Sequence, residues 1–225
     1  MNILERAINV IAPHTCLSCE AEGGLLCASC QLSVLTPLPS RCYLCHKITR
    51  QYSVCANCKR RSSLGHVWVG ASYEGIAKDL IYKLKFGRAN AAARPLAQAI
   101  SEQIPRLNKK VLVTHVPTAN QRIRLRGYDQ AQLIAKAVAD EKGWLYLPLL
   151  VRTSSKRQVG SSKKERENQL EHAFTVQNKR FLQGAQVLLI DDVVTTGATL
   201  ESAAKALKNN GVKTVDAAVF AQSQG

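Results

Sequence analysis

The chain has 225 residues, 46% hydrophobic and 21% charged, enough for one well-buried α/β domain plus a small extra module and too apolar for intrinsic disorder. Lys and Arg number 31 against 16 Asp and Glu, and the resulting formal charge of +15 favours polyanionic partners: nucleic acid, phosphates or an anionic membrane. No apolar run approaches the ~18 residues of a membrane span, and Glu5 and Arg6 interrupt the N-terminus where a secretory signal needs its apolar core, so a cytoplasmic protein is expected.

In chain order, Ile3, Leu4, Ala7, Ile8 and Ile11 fit one face of a short helix that packs on the next module or lies on a membrane surface. Four C-x-x-C pairs follow, Cys16/Cys19, Cys27/Cys30, Cys42/Cys45 and Cys55/Cys58, and no cysteine occurs after residue 58. Each pair closes a knuckle whose two sulfurs reach one tetrahedral ion, and two knuckles complete a site of four thiolates. A reducing cytosol disfavours the disulfide alternative. Sequential pairing gives two tandem ribbons separated by Thr36–Pro39, and cross-bracing of alternate pairs is the rival; the tandem is favoured because each half is compact. Closed four-thiolate sites leave no open position, so two structural zinc ions are expected, without which neither ribbon folds. His46, beside Cys45, reads as a solvated neighbour.

Residues 73–86 (YEGIAKDLIYKLKF) place Ile76, Leu80, Ile81 and Leu84 at helical spacing, with Lys78, Lys83 and Lys85 on a basic outer side. A second helix is predicted over 89–104, with Pro95 in or near its first turn and Pro105 as its stop. Beyond it come a strand at 111–117, a helix at 131–140 and a strand at 144–148. A loop at 154–162, a helix at 163–172 and a strand at 174–176 follow, then a buried strand at 187–190 with its helix and a last strand at 213–220. Such alternation argues for a mainly parallel sheet covered on both faces, with ligands beyond the carboxyl ends of the strands. Residues 118–126 and 191–199 both fall at such ends and are expected to converge.

The most informative stretch is 187–199, VLLIDDVVTTGAT. Asp191 and Asp192 end an apolar strand, and Thr195, Thr196, Gly197, Ala198 and Thr199 open a helix whose amides and hydroxyls can hold one anion. Paired carboxylates beside a phosphate cradle suit a ligand with both a phosphate and a vicinal diol, such as a sugar phosphate. An ordinary capped helix start needs only Thr196 or Thr199. A Walker B strand also ends in an acid, but no GxxxxGK[ST] occurs in the chain. The second motif runs from Val116 to Gln130, with Arg122, Arg124 and Arg126 in a loop after a strand, either bidentate phosphate donors or a solvated face. The third, residues 152–168, carries Lys156, Arg157, Lys163, Lys164 and Arg166 among Ser and Gly. It is fit to close over a pyrophosphate, to lie along a nucleic-acid backbone, or to act as a linker.

The 187–199 stretch resembles the phosphoribosyl-pyrophosphate (PRPP) signature of type I phosphoribosyltransferases. Four knuckles, YEGIAKDLIYKLKF, VP…R…RGYDQ, the KRQ loop and IDDVVTTGAT, in that order, resemble the ComF/GntX-like family and its ComFC branch of competence proteins, over nearly the whole chain. The resemblance implies a double zinc-ribbon module at 1–62 and a type I phosphoribosyltransferase-like α/β domain at 63–225. It implies PRPP at Asp191, Asp192, Val193, Val194, Thr195, Thr196, Gly197, Ala198 and Thr199, with Mg²⁺ accompanying it. The pyrophosphate would lie near Thr118, Ala119, Arg122 and Arg126, with Lys156, Arg157 and Gln158 in a loop over it. Where the family pattern has Asn, this chain has Asp129, which adds a negative charge beside Arg126. No segment comparable to the base-reading hood of such transferases stands out.

Two functions follow as expectations. One is a DNA-uptake protein of natural transformation that handles single-stranded DNA and binds PRPP or a related sugar phosphate, with Lys83, Lys85, Arg124, Lys163, Lys164 and Arg166 on the phosphates. Trp68, Tyr73, Tyr82 and Phe86 are its stacking candidates. The resemblance adds a helicase-like ATPase as partner and membrane association through an uptake complex. The other is an active Mg-dependent phosphoribosyltransferase with an unknown acceptor; an interaction adaptor with a vestigial site is a third reading.

Overall fold

Five short apolar runs set the central sheet: β1 Val67–Ser72, β2 Val111–His115, β3 Leu145–Tyr146, β6 Gln186–Val194 and β7 Thr214–Gln222. The computed structural model describes residues 14–35, 38–87, 89–107, 110–153 and 173–223. The helices expected at the N-terminus and at 163–172 lie outside these residues. The strands are ordered β1-β7-β6-β2-β3, every neighbouring pair parallel. Val187 to Ile190 are buried, as a strand covered on both faces requires.

The helices are α3 Gly75–Phe86, α4 Ala93–Gln103, α5 Asn120–Arg126, α6 Gln130–Lys142 and α7 Ala198–Lys208. α4 packs on β1, and α6 packs on β2 and β6. α6 links β2 to β3 and α7 links β6 to β7, in opposite directions across the sheet, so right-handed crossovers place the two on opposite faces. α3 turns Ala77, Leu80, Ile81 and Leu84 into the core, as its spacing predicts, while Ile76 is only partly buried.

Several elements depart from expectation. β1 has no counterpart among the expected strands: VWVGAS is short and interrupted by Gly70, where a Cβ would fall 2.9 Å from the Phe220 carbonyl and 3.2 Å from the Ala99 backbone of α4. β6 continues past Ile190 through both aspartates, because β7 offers partners as far as Val194↔Gln222. The arginine segment is the helix α5 and not a loop; its residues are mostly good helix formers, and Gly127 ends it at φ +86°. The strand expected at 144–148 shrinks to an edge pair before Pro148. Phe174–Val176 is a strand, β5, but it leaves the main sheet and pairs antiparallel with a further strand, β4, Leu150–Arg152.

The N-terminal ribbons hold two short helices, α1 Ala28–Val34 and α2 Ala56–Lys59. The second ribbon is stitched to the sheet: Val54 N–H donates to the Gly65 carbonyl (2.9 Å) and Val67 N–H to that of Tyr52 (3.0 Å). Among the described residues, no helix is long and apolar enough to cross a membrane.

Candidate functional site

Sequential pairing brings the sulfurs together. Cys16, Cys19, Cys27 and Cys30 form one cluster and Cys42, Cys45, Cys55 and Cys58 the other, each set within 4.8 Å. A tetrahedron with Zn–S near 2.3 Å has S···S edges of about 3.8 Å. Cys19···Cys27 is 3.7 Å and Cys45···Cys55 is 3.5 Å, so both clusters fit zinc. All eight thiols are unbridged, an Arg61 guanidinium nitrogen lies 3.7 Å from the Cys58 sulfur, and His46 is exposed outside the cluster.

At the carboxyl edge of the sheet, successive residues of β6 point to opposite faces, so Asp191 and Asp192 have different surroundings. Asp192 is buried; its Oδ1 accepts from Lys85 Nζ of α3 at 2.9 Å and its Oδ2 from Gln130 Nε2 of α6 at 3.0 Å. Asp191 accepts from the backbone N–H of Asp192 (2.8 Å), and burial, reinforced by the Asp192 charge, pushes its carboxyl well above the usual range. Asp191 therefore holds its proton more readily than an ordinary carboxyl does.

Beyond them, Thr195 and Thr196 are exposed and α7 begins behind Gly197 at φ +77° with no side-chain cap. The Ala198 N–H makes a long bond, 3.4 Å, to Thr196 Oγ1. An uncapped first turn offers amides and a positive dipole end to an anion.

Thr118 is turned inward: its N–H and hydroxyl both donate to Asp129, at 2.8 and 3.1 Å. This settles the part played by Asp129, which also caps α6 by accepting from the N–H groups of Ala131 and Gln132. Ala119 precedes α5, on which Arg122 and Arg124 are exposed. Arg126 instead lies back over the Phe86 ring (5.2 Å to the centroid) and donates to Gln130 Oε1 at 2.8 Å. Phe86, Arg126, Gln130, Asp192 and Lys85 thus form one continuous chain of contacts.

Tyr82 and Phe86 are 62% and 63% exposed with ring centroids 5.1 Å apart, and Lys83 beside them is exposed. Trp68 cannot stack on a base: it is 2% exposed and lies against His66 within the fold. Tyr73 is partly buried against the core. Lys85, expected on an outer basic face, is spent on Asp192. Lys156, Arg157, Gln158, Lys163, Lys164 and Arg166 lie outside the described residues.

Below this crevice, His115 is buried with Nδ1 2.9 Å from the Tyr146 hydroxyl and Nε2 3.8 Å from Asp129. Burial lowers its pKa, with Asp129 opposing, and so favours the neutral ring. No motif in the sequence singles out His115; a lone histidine ending an apolar strand is the one available signal.

A family model described as a phosphoribosyl transferase domain matches residues 127–224. Competence protein F of Haemophilus influenzae is 28% identical over 219 residues, covering 89% of this chain and 93% of that protein. Competence protein ComFC of Bacillus subtilis is 28% identical over 200 residues, covering 83% and 79%. DNA utilization protein YhgH of Shigella flexneri is 25% identical over 217 residues, covering 84% and 93%. With its two four-cysteine clusters and mainly parallel sheet, the chain is thus similar over most of its length to competence protein F, ComFC and YhgH, and its residues 127–224 match a phosphoribosyl transferase domain.

Proposed function

We propose that this protein handles single-stranded DNA during the uptake or use of external DNA and holds PRPP or a related sugar phosphate in the crevice at the end of β6. The observation that carries the reading is the crevice itself: two carboxyls beside an uncapped helix start, joined through Gln130 and Arg126 to an exposed aromatic and basic shelf. The helix start and Thr195, Thr196 and Thr199 suit a phosphate, the acidic pair suits ribose hydroxyls, and Mg²⁺ would screen a pyrophosphate near Asp191. Tyr82 and Phe86 suit unpaired bases, with Lys83, Arg122 and Arg124 on the strand's phosphates. The names of the relatives, competence and DNA utilization proteins, support the process. The proposed division is a double zinc-ribbon module at 1–62 and the transferase-like domain at 63–225. A helicase-like ATPase of the uptake machinery is the proposed partner.

Calorimetry with PRPP and Mg²⁺, together with gel shifts of single-stranded oligonucleotides across a salt series, tests both parts. Asp191→Asn with Asp192→Asn should abolish PRPP binding, and Tyr82→Ala with Phe86→Ala should weaken DNA binding by about 1–3 kcal/mol per lost stack. DNA affinity insensitive to salt would refute the phosphate contacts. Pyrophosphate release from PRPP with some nucleobase, lost in the aspartate double variant, would make the protein a transferase instead.

A further inference from the structure

We propose that the second cysteine cluster, through Tyr43, is a positioning device for the phosphate loop: metal in that cluster holds Tyr43 against the start of α7 and so sets the conformation that receives a phosphate. The phosphate half of this inference rests on the reading of Thr195–Thr199 given above.

Tyr43 lies between the cluster residues Cys42 and Cys45, so its backbone belongs to the knuckle that the ion closes. That knuckle also holds the His46 N–H to the Cys42 carbonyl at 2.8 Å. A tyrosine of so small a ribbon would ordinarily be solvated, yet Tyr43 is 2% exposed, because its ring leaves the ribbon and packs on Gly197. A Cβ at Gly197 would fall 2.3 Å from the Tyr43 ring, so the loop backbone meets the ring directly.

The Tyr43 hydroxyl donates to Glu201 Oε2 at 2.8 Å. Ser62 Oγ donates to the same oxygen at 3.0 Å, and the Ser63 N–H donates to Oε1 at 2.5 Å. Three donors from the ribbon and its exit therefore grip one carboxylate in the first turn of α7. The Glu201 N–H in turn bonds the Gly197 carbonyl at 2.9 Å. A negative side chain at that position also favours the helix dipole. The first cluster meets the domain elsewhere, through Gln31 and Glu102 of α4 (3.4 Å), and serves as an internal control.

A ribbon of this size is ordered by its metal, so loss of the ion from the second cluster frees Tyr43 and releases the Glu201 grip. Coupling between two binding sites is reciprocal: if the metal strengthens phosphate binding, a phosphate ligand must strengthen metal binding at that cluster by the same factor.

The test uses the full-length, zinc-loaded chain. Amide hydrogen exchange at residues 195–201 reports the loop, native mass spectrometry counts zinc, and chelator competition with and without PRPP gives zinc affinity. Tyr43→Ala with two zinc ions retained should speed exchange at 195–201 by about tenfold, within the usual span of such couplings. Tyr43→Phe, which keeps the ring and loses the hydroxyl, should give a smaller change in the same direction and decides the matter if the alanine variant does not fold. PRPP should tighten zinc in the second cluster and not in the first, and Tyr43→Phe should reduce that effect. Unchanged exchange in the zinc-loaded variants, or a second cluster that binds no zinc in the unaltered chain, overturns the inference. Altered exchange with no binding of PRPP refutes the phosphate-site reading and leaves the mechanical coupling standing.

Discussion

Lys85→Met probes the clamp on Asp192. The ion pair spans 2.9 Å, with side-chain exposures of 21% for Lys85 and 7% for Asp192. At an effective dielectric of about 20, two unit charges at that separation attract by about 6 kcal/mol before desolvation. Removing one partner of such a pair costs about 3–5 kcal/mol, because the charge left behind is buried and uncompensated. Gln130 remains on Asp192 Oδ2, which places the expected loss near the lower end, about 3 kcal/mol. For a chain of this size that corresponds to a fall in Tm of about 6–12 °C in zinc-replete buffer. Asp192→Asn should be milder, since the partly exposed lysine can turn to solvent. The double variant Lys85→Met/Asp192→Asn should recover much of the loss, giving a coupling energy of about 2 kcal/mol. Additive losses in the double-mutant cycle, or a loss below about 1 kcal/mol for Lys85→Met alone, would refute the assignment of Lys85 as the counter-ion of Asp192.

Two further outcomes follow from the same crevice. Gly197→Ala should destabilise the protein by about 2–5 kcal/mol in denaturant unfolding, combining left-handed backbone strain with overlap on the Tyr43 ring; a loss under about 1 kcal/mol would contradict that close approach. Asp191→Asn should raise Tm at neutral pH. The folded-state pKa of Asp191 lies above its unfolded value, so ionising the carboxyl opposes folding; the loss begins as pH rises past the ordinary carboxylate range and is complete above the raised pKa. Below the ordinary carboxylate range both states are protonated and the variant's advantage should vanish; an advantage independent of pH would exclude this origin.

What could be read along the chain was what depends on near neighbours. C-x-x-C spacing determines a metal knuckle within four residues, and the helical period of residues 73–86 turns Leu80, Ile81 and Leu84 inward wherever the helix packs. The run VLLIDDVVTTGAT announces a buried strand, an acidic pair and an anion-friendly helix start by composition alone. Burial and partner choice needed the tertiary structure. VWVGAS has no period of its own, and it is a strand because β7 pairs with it and α4 covers it. Trp68 reads as a stacking residue until that packing buries it. Lys85 meets Asp192 across 107 positions, and Tyr43 meets Glu201 across 158. Such contacts leave no local pattern, because they arise only after the sheet has brought the ends of β6, α3, α6 and the second ribbon to one edge. The residue types of the site were thus legible in the chain, while the state of each (Asp192 neutralised by a lysine, Asp191 inclined to keep its proton, Gly197 braced by a tyrosine from the metal ribbon) was decided by packing.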